Sequence, residues 1–135
     1  MHTPSFFDQL VAAASAQPEP QRLLFVFAGA ELPADATPAQ RARFEQGAGG
    51  ELTPLMCVEK APQELSSFEA LVEESRRAGP PWQVVFAAGL AGRNGGPPSD
   101  EQTEAALTKM VERIRGGFIE GLLALSPTGE PLHFS

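Results

Sequence analysis

The chain has little of the chemistry that sulfur and imidazole side chains supply. Its 135 residues include one cysteine, Cys57, and two histidines, His2 and His133. A single cysteine excludes an internal disulfide framework, and these three residues cannot assemble a standard structural zinc site. Both histidines lie near the chain ends without a visible partner for a catalytic triad. We therefore expect no metal site, no cofactor and no catalytic residue.

The sequence also lacks the short motifs of common enzyme classes. It contains no G-x-S-x-G nucleophile elbow, and neither G-x-G-x-x-G nor G-x-x-x-x-G-K-[ST] for phosphate binding. Adjacent acids occur at Glu73 and Glu74 and at Asp100 and Glu101. Both pairs fall on predicted helix surfaces or caps, where solvent and the helix dipole account for them. This thin inventory favours a protein that is not an enzyme.

Long apolar runs and an excess of positive charge are absent as well. No stretch is long enough to span a bilayer, and the N-terminal residues lack the charged and apolar regions of a secretion signal. The chain has 10 lysines and arginines against 17 acids, and its net charge of −7 repels nucleic-acid backbones and anionic membranes. We expect a cytoplasmic protein with neither nucleic acid nor membrane as a partner.

The residues that are present have the composition of an ordinary α/β domain. Hydrophobic residues make up 42% of the chain and charged residues 20%. Two similar apolar runs, residues 23–29 and 84–89, each lead into a loop and then a helix start. Their apolar character is continuous rather than alternating, which is typical of strands covered by helices on both faces. These two runs are the predicted centre of a sheet.

Capping residues, apolar stripes and Gly/Pro breaks divide residues 1–135 into the elements of a single α/β domain. The predicted order is α-β-α-β-α-β-α-β-β, with a mixed sheet of four or five strands. Helical crossovers predict mostly parallel early strands, and the turn at residues 126–129 predicts a C-terminal β-hairpin. Pro54 indicates either an edge position for the second strand or a start at Leu55. The predicted helices cover residues 5–17, 37–46, 62–78 and 99–115, and the first three strands cover residues 22–28, 52–59 and 82–88.

The ends of the first and third strands are a candidate ligand site, because ligands bind beyond the strand ends of open α/β sheets. Arg93 and Asn94 would offer hydrogen-bond donors to an anionic ligand, and Glu31 would face Arg93. The alternative is that the Gly/Pro-rich loop of residues 89–98 is a flexible exposed connection. The residues of this hypothetical ligand site are Gly29, Glu31, Gly92, Arg93 and Asn94.

Trp82 and Cys57 each allow two interpretations. Trp82 follows two prolines and could anchor a partner protein, or it could be the aromatic start of a buried strand. Cys57 lies in the middle of the second strand, which favours a buried structural cysteine over a redox or nucleophilic thiol.

Three segments carry a resemblance to a known group of proteins: QRLLFVFAGAELP at residues 21–33, PLMCVEK at residues 54–60 and WQVVF at residues 82–86. The chain resembles, over nearly its full length, a group of small uncharacterised bacterial proteins. Members are often labelled ribonucleotide reductase alpha subunit, an enzyme that uses a radical cysteine and a redox cysteine pair. One cysteine in 135 residues cannot supply that chemistry. The label is therefore wrong for this chain, and the resemblance implies no activity or catalytic residue.

Together these features predict a small soluble domain that binds a partner protein or a second copy of itself. The motivating observations are the thin catalytic inventory, the glycine-rich loops and the acidic composition. The alternative is a ligand-binding or enzymatic α/β domain with its site at the ends of the first and third strands.

Overall fold

A four-stranded antiparallel sheet with helices on both faces forms the framework of the protein. The structure is a computed structural model that describes residues 5–31, 34–45 and 51–132. Its elements in chain order are α1 (Phe6–Ser15), β1 (Gln21–Glu31), α2 (Pro38–Glu45), β2 (Glu51–Lys60), a short 3-10 helix (Pro62–Glu64), α3 (Phe68–Ala78), β3 (Val84–Ala91), α4 (Asp100–Gly116) and β4 (Leu123–Leu125).

The strand order is β2-β1-β3-β4, and every neighbouring pair is antiparallel. The prediction of mostly parallel early strands is therefore wrong. Because β1 pairs with both β2 and β3, those two strands run in the same direction but are separated by β1. The connection through α3 thus joins two parallel strands that are not neighbours. The crossover rule concerns strands of one sheet and does not require them to lie side by side.

The C-terminal hairpin forms in part within the described residues. The Gly129 N–H donates to the Ser126 carbonyl at 2.9 Å, which closes the predicted turn. After this turn the chain pairs with β4 at a single bridge, Leu125 with Pro131, and not as a fifth strand. The sheet thus has four strands in the part of the chain that the structure describes.

Helix starts follow the predicted capping chemistry. In α1, the Ser5 hydroxyl accepts from the Asp8 N–H at 3.0 Å, and in α4 the Ser99 hydroxyl accepts from the Gln102 N–H at 3.1 Å. The predicted helix of residues 62–78 is divided, because Ser67 caps a new helix start by accepting from the backbone N–H of Ala70. Local capping therefore overrides the longer apolar stripe.

One face of the sheet is covered by α1 and α3. Alternate residues of β1 and β3 point to this face and meet the apolar sides of both helices. Phe7 packs against Phe68 with ring centroids 5.4 Å apart, so the two helices also contact each other through aromatic rings. The large buried members of this core are Phe7, Leu23, Phe25, Phe27, Phe68, Leu71, Trp82, Val85 and Leu125.

The opposite face is covered by α4. Met110 and Ile114 of this helix are buried against the remaining residues of β1 and β3. Beside the helix, Ile119, Leu122 and Leu132 pack over the side of the sheet that carries β3 and β4. The strand residues buried on this face are Leu24, Val26, Ala28, Val84, Phe86 and Ala124.

Candidate functional site

The five residues of the predicted ligand site lie at two opposite ends of the sheet. Gln21 at the start of β1 pairs with Ala91 at the end of β3, whereas Gly29 is eight residues further along β1. At about 3.4 Å per residue, Gly29 is roughly 27 Å from the Gln21–Ala91 pair, and Gly92 lies beyond that pair. The antiparallel direction of β1 and β3 causes this separation. Gly29 and Glu31 therefore cannot line one pocket with Gly92, Arg93 and Asn94.

The sheet end that contains Gly29 is closely packed around this residue. Gly29 is buried, and a Cβ there would lie 3.2 Å from the Gln83 side-chain oxygen. The backbone of Glu31 is the last position of β1, opposite Glu51, and the Glu31 side chain lies outside the described part of the chain. That Glu31 contacts a ligand stays a prediction.

The glycine-rich loop after β3 is a tight turn. Arg93 and Gly96 form a bridge on either side of Asn94 and Gly95, whose φ angles are 54° and 76°. Two central residues with positive φ are the mark of a type I′ hairpin turn. The Gly95 N–H donates to the Glu19 carboxylate at 3.0 Å, so this donor is already used within the protein.

The same turn is held against the linker before β1. The Gly92 N–H donates to the Pro20 carbonyl at 2.8 Å, and a Cβ at Gly92 would lie 1.8 Å from the Gly96 carbonyl oxygen. Only glycine fits in so close an approach of two backbones. The glycines at this end of the sheet therefore have a structural explanation, while Arg93 and Asn94 are exposed side chains.

Trp82 belongs to the core. It is 5% exposed, its ring lies 4.9 Å from that of Phe27, and its indole N–H donates to the Ser75 hydroxyl at 2.8 Å. Ser75 in turn donates to the Val72 carbonyl at 2.6 Å, which completes a buried polar chain. The indole is therefore enclosed within the protein itself. This agrees with the alternative interpretation of Trp82 as a buried aromatic residue next to a core strand.

Cys57 is an exposed residue of β2, so the prediction of a buried structural cysteine is wrong. It pairs with Val26 of β1 and lies on the sheet face that carries α4, where its side chain lines a groove. Partial desolvation in this groove raises the pKa of the Cys57 thiol above its ordinary value. The thiolate is thereby disfavoured, which is the opposite of what nucleophilic cysteines require.

The groove next to Cys57 lies between β2 and α4 and encloses about 490 Å³. Leu107 and Val111 of α4 are half-buried and form its apolar floor together with Cys57. Its walls carry charged side chains. They are Glu59 of β2 and Asp100, Glu104, Glu112 and Arg115 of α4.

The acids of α4 form no salt bridge within the part of the chain that the structure describes. Across the described ranges, salt bridges join Arg22 to Glu59, Lys60 to Glu74 and Arg77 to Glu73, and none includes an acid of α4. The groove therefore presents more carboxylates than cations beside an apolar floor.

The groove opens beside the edge of the sheet. β2 is the last strand on its side, and no described segment pairs with its outer edge. The register with β1 shifts between Phe27 and Ala28, which leaves Leu55 as an extra residue next to Pro54. Proline lacks an N–H and the bulge disrupts the ladder, so the regular part of this edge is the second half of β2.

Sequence reasoning missed the groove, although two of its signals are visible in the chain. Pro54 pointed to an edge strand, and β2 is indeed at the edge. Asp100, Glu104 and Thr108 recur every four residues and therefore share one helix face. What could not be seen is that this face of α4 lies next to β2.

No cluster of three or more His, Cys, Asp or Glu side chains within residues 5–31, 34–45 and 51–132 could hold a metal ion. His2 and His133 lie outside these described residues. The helices in the same ranges are too short or too polar to cross a membrane.

Comparison with known proteins gives no relative. No protein-family model, no curated protein and no solved structure matches the chain.

Proposed function

We propose that this protein is a non-catalytic interaction domain whose β2 edge pairs with an extended segment of another polypeptide. The observation that carries this proposal is the position of β2, a ten-residue strand at the end of the sheet order with no partner on its outer side among the described residues. Unpaired N–H and C=O groups along such an edge are a template for a further strand.

The edge favours pairing along its second half. Pro54 and the bulge at Leu55 interrupt the first half, whereas Met56, Cys57 and Val58 continue in regular register with β1. Natural edge strands use proline and bulges to block unwanted pairing. Their restriction to one half of β2 limits where a partner strand can lie, and it places that strand beside the groove of α4.

The described residues offer nothing comparable at the β4 edge of the sheet. β4 has three residues, and the chain after it turns back to bridge Leu125 with Pro131. A partner strand would find a short edge there that is already partly occupied. The partner at β2 is another protein or a second copy of this chain, and both fit the same backbone chemistry.

The test combines peptide selection with hydrogen exchange of backbone amides. A random library of short peptides displayed on phage is panned against the full chain, and selected peptides are added to the free protein. We expect protection of amides in residues 56–60 and little change in β4, which serves as the internal control. Sedimentation velocity over a wide concentration range tests pairing of two copies.

Two outcomes would overturn the proposal. One is a panning experiment that selects nothing together with a monomer at every concentration. The other is selected peptides that protect amides away from β2.

A further inference from the structure

We propose that the segment bound at the β2 edge is a basic strand of a partner protein, with cationic side chains on one face and apolar side chains on the other. This inference rests on the proposed function, because it assumes that β2 accepts a strand. It adds the chemical character of the partner strand. The side of β2 that carries α4 favours cationic side chains, and the side that carries α1 and α3 favours apolar ones.

The cationic face follows from the groove. A strand paired with β2 places every second side chain on the face that carries α4, next to Cys57 and Glu59. The acids of α4 line that side, and they form no salt bridge within the described residues. Asp100 lies in the first turn of α4, where the helix dipole stabilises it. Glu104 and Glu112 lie beyond that turn, and the dipole does not account for them.

Within the described residues, the cations near the groove form no salt bridge with the acids of α4. Arg22 is 3.2 Å from Glu59 and is thereby used within the sheet. Arg115 is the one cation among the residues that line the groove, which also include three acids of α4, Asp100, Glu104 and Glu112. Lysine or arginine side chains of a partner would supply the missing positive charge, while their methylene stems would cover Leu107 and Val111.

The apolar face follows from the other side of β2. Met56 and Val58 point to the face that carries α1 and α3, and both are partly exposed at the margin of that core. The alternate side chains of an added strand would lie beside them. A partner strand with apolar residues at these positions would extend the core by one row.

The charge also distinguishes this partner from a second copy. Two copies joined at β2 would bring two acidic grooves to one interface, and each chain carries a net charge of −7. Like charges placed close together oppose association. A basic segment of a different protein meets no such repulsion.

The experiment uses two synthetic peptides as probes: a nine-residue peptide that alternates lysine with valine, and the same peptide with glutamate in place of lysine. Their binding to the full chain is measured by fluorescence anisotropy. We expect the lysine peptide to bind and to protect amides in residues 56–60. Its affinity should fall as salt is raised from about 50 to about 300 mM. The glutamate peptide should not bind.

Matched charge variants locate the interaction. Glu104→Gln combined with Glu112→Gln should lower the affinity for the lysine peptide by about 5-fold, since the variant removes two exposed ion pairs and each of them is weak. The control, Glu69→Gln combined with Glu130→Gln, removes the same charge outside the groove. It should leave the affinity within about 2-fold.

The outcomes separate the two proposals. If the glutamate peptide binds β2 as well as the lysine peptide, or if both double variants weaken binding equally, the basic partner is wrong and strand addition stands. If neither peptide binds but concentrated protein dimerises through β2, the occupant is a second copy and the basic partner is again wrong. If neither peptide binds and either of the two outcomes stated for the proposed function is found, both proposals fail.

Discussion

The two faces of the sheet are covered to different extents. On one face, α1 and α3 lie side by side over the strands, and three aromatic contacts connect helix, strand and Trp82. On the other face, α4 packs over β1 and β2, and the segment after it covers the side that carries β4. A groove lies between α4 and β2 on that face.

The difference has a simple geometric origin. Strands in a sheet are about 4.8 Å apart, and a helix with its side chains is about 10 Å wide, so one helix covers about two strands. Two helices close a four-stranded face, whereas one helix needs help from loops. Here α4 lies over β1 and β2, and the segment after it covers the other side of the face. The outer side of α4 therefore lies along the sheet edge at β2, where the groove is found.

The largest expected effect is on the closed face. Trp82→Ala should lower the free energy of unfolding by about 3–5 kcal/mol, because it removes a buried ring and leaves a cavity. Chemical denaturation measures this loss. Ser75→Ala is the companion variant, and it should cost about 1–3 kcal/mol by leaving the buried indole N–H without an acceptor. A loss below 1 kcal/mol for Trp82→Ala would contradict the closed core described for this face.

A matched pair of leucines compares the two faces directly. Leu71 of α3 is 3% exposed, whereas Leu107 of α4 is half-buried at the groove. Leu71→Ala should cost about 2–5 kcal/mol, and Leu107→Ala about half as much, because less area is removed from water and no closed cavity forms. Both values come from urea denaturation under the same conditions. Equal losses would mean that the α4 side is as closed as the other.

The smallest expected effect concerns Cys57 and leaves the fold intact. Because desolvation in the groove raises the pKa of this thiol, alkylation by iodoacetamide should reach half its maximal rate at a higher pH in the native protein than in urea. In urea the midpoint should be near the value of about 8.5 for an unperturbed cysteine. The fold favours the neutral thiol, so this contribution to stability is present below the ordinary pKa and is lost as pH rises through the raised one.

An opposite pH shift would contradict the groove environment. A native midpoint at or below that of the unfolded chain would indicate a thiol that is fully solvated or stabilised as a thiolate. Cys57→Ser is the control for reaction at other side chains.

Sequence reasoning located the elements because their signals are local. The continuous apolar runs became β1 and β3, and Ser99 with Gln102 capped α4. Pro54 indicated an edge strand, and its strand is at the edge. The apolar run that predicted a strand from Trp82 was also a local signal, although β3 itself begins at Val84.

Strand direction and the groove depend on contacts between distant segments, which no local pattern contains. The predicted ligand site failed for this reason: Gly29 and Gly92 both follow apolar runs, but the runs are antiparallel. The glycine-rich loop is a different case. Asn94 and Gly95 form the dipeptide typical of a type I′ turn, so the tight turn was predictable from sequence.

The central position of β1 also sets the order in which the protein can fold. β1 comes before both of its neighbours in the chain, and β2 and β3 reach it from long sequence separations. Pairings of this kind slow folding, because loop closure must come before the contacts that stabilise it. Residues 23–28 are apolar on both faces, so they stay uncovered during synthesis until β3 and α4 have emerged. Aggregation of the nascent chain would therefore begin at β1, the segment that is most deeply protected once folding is complete.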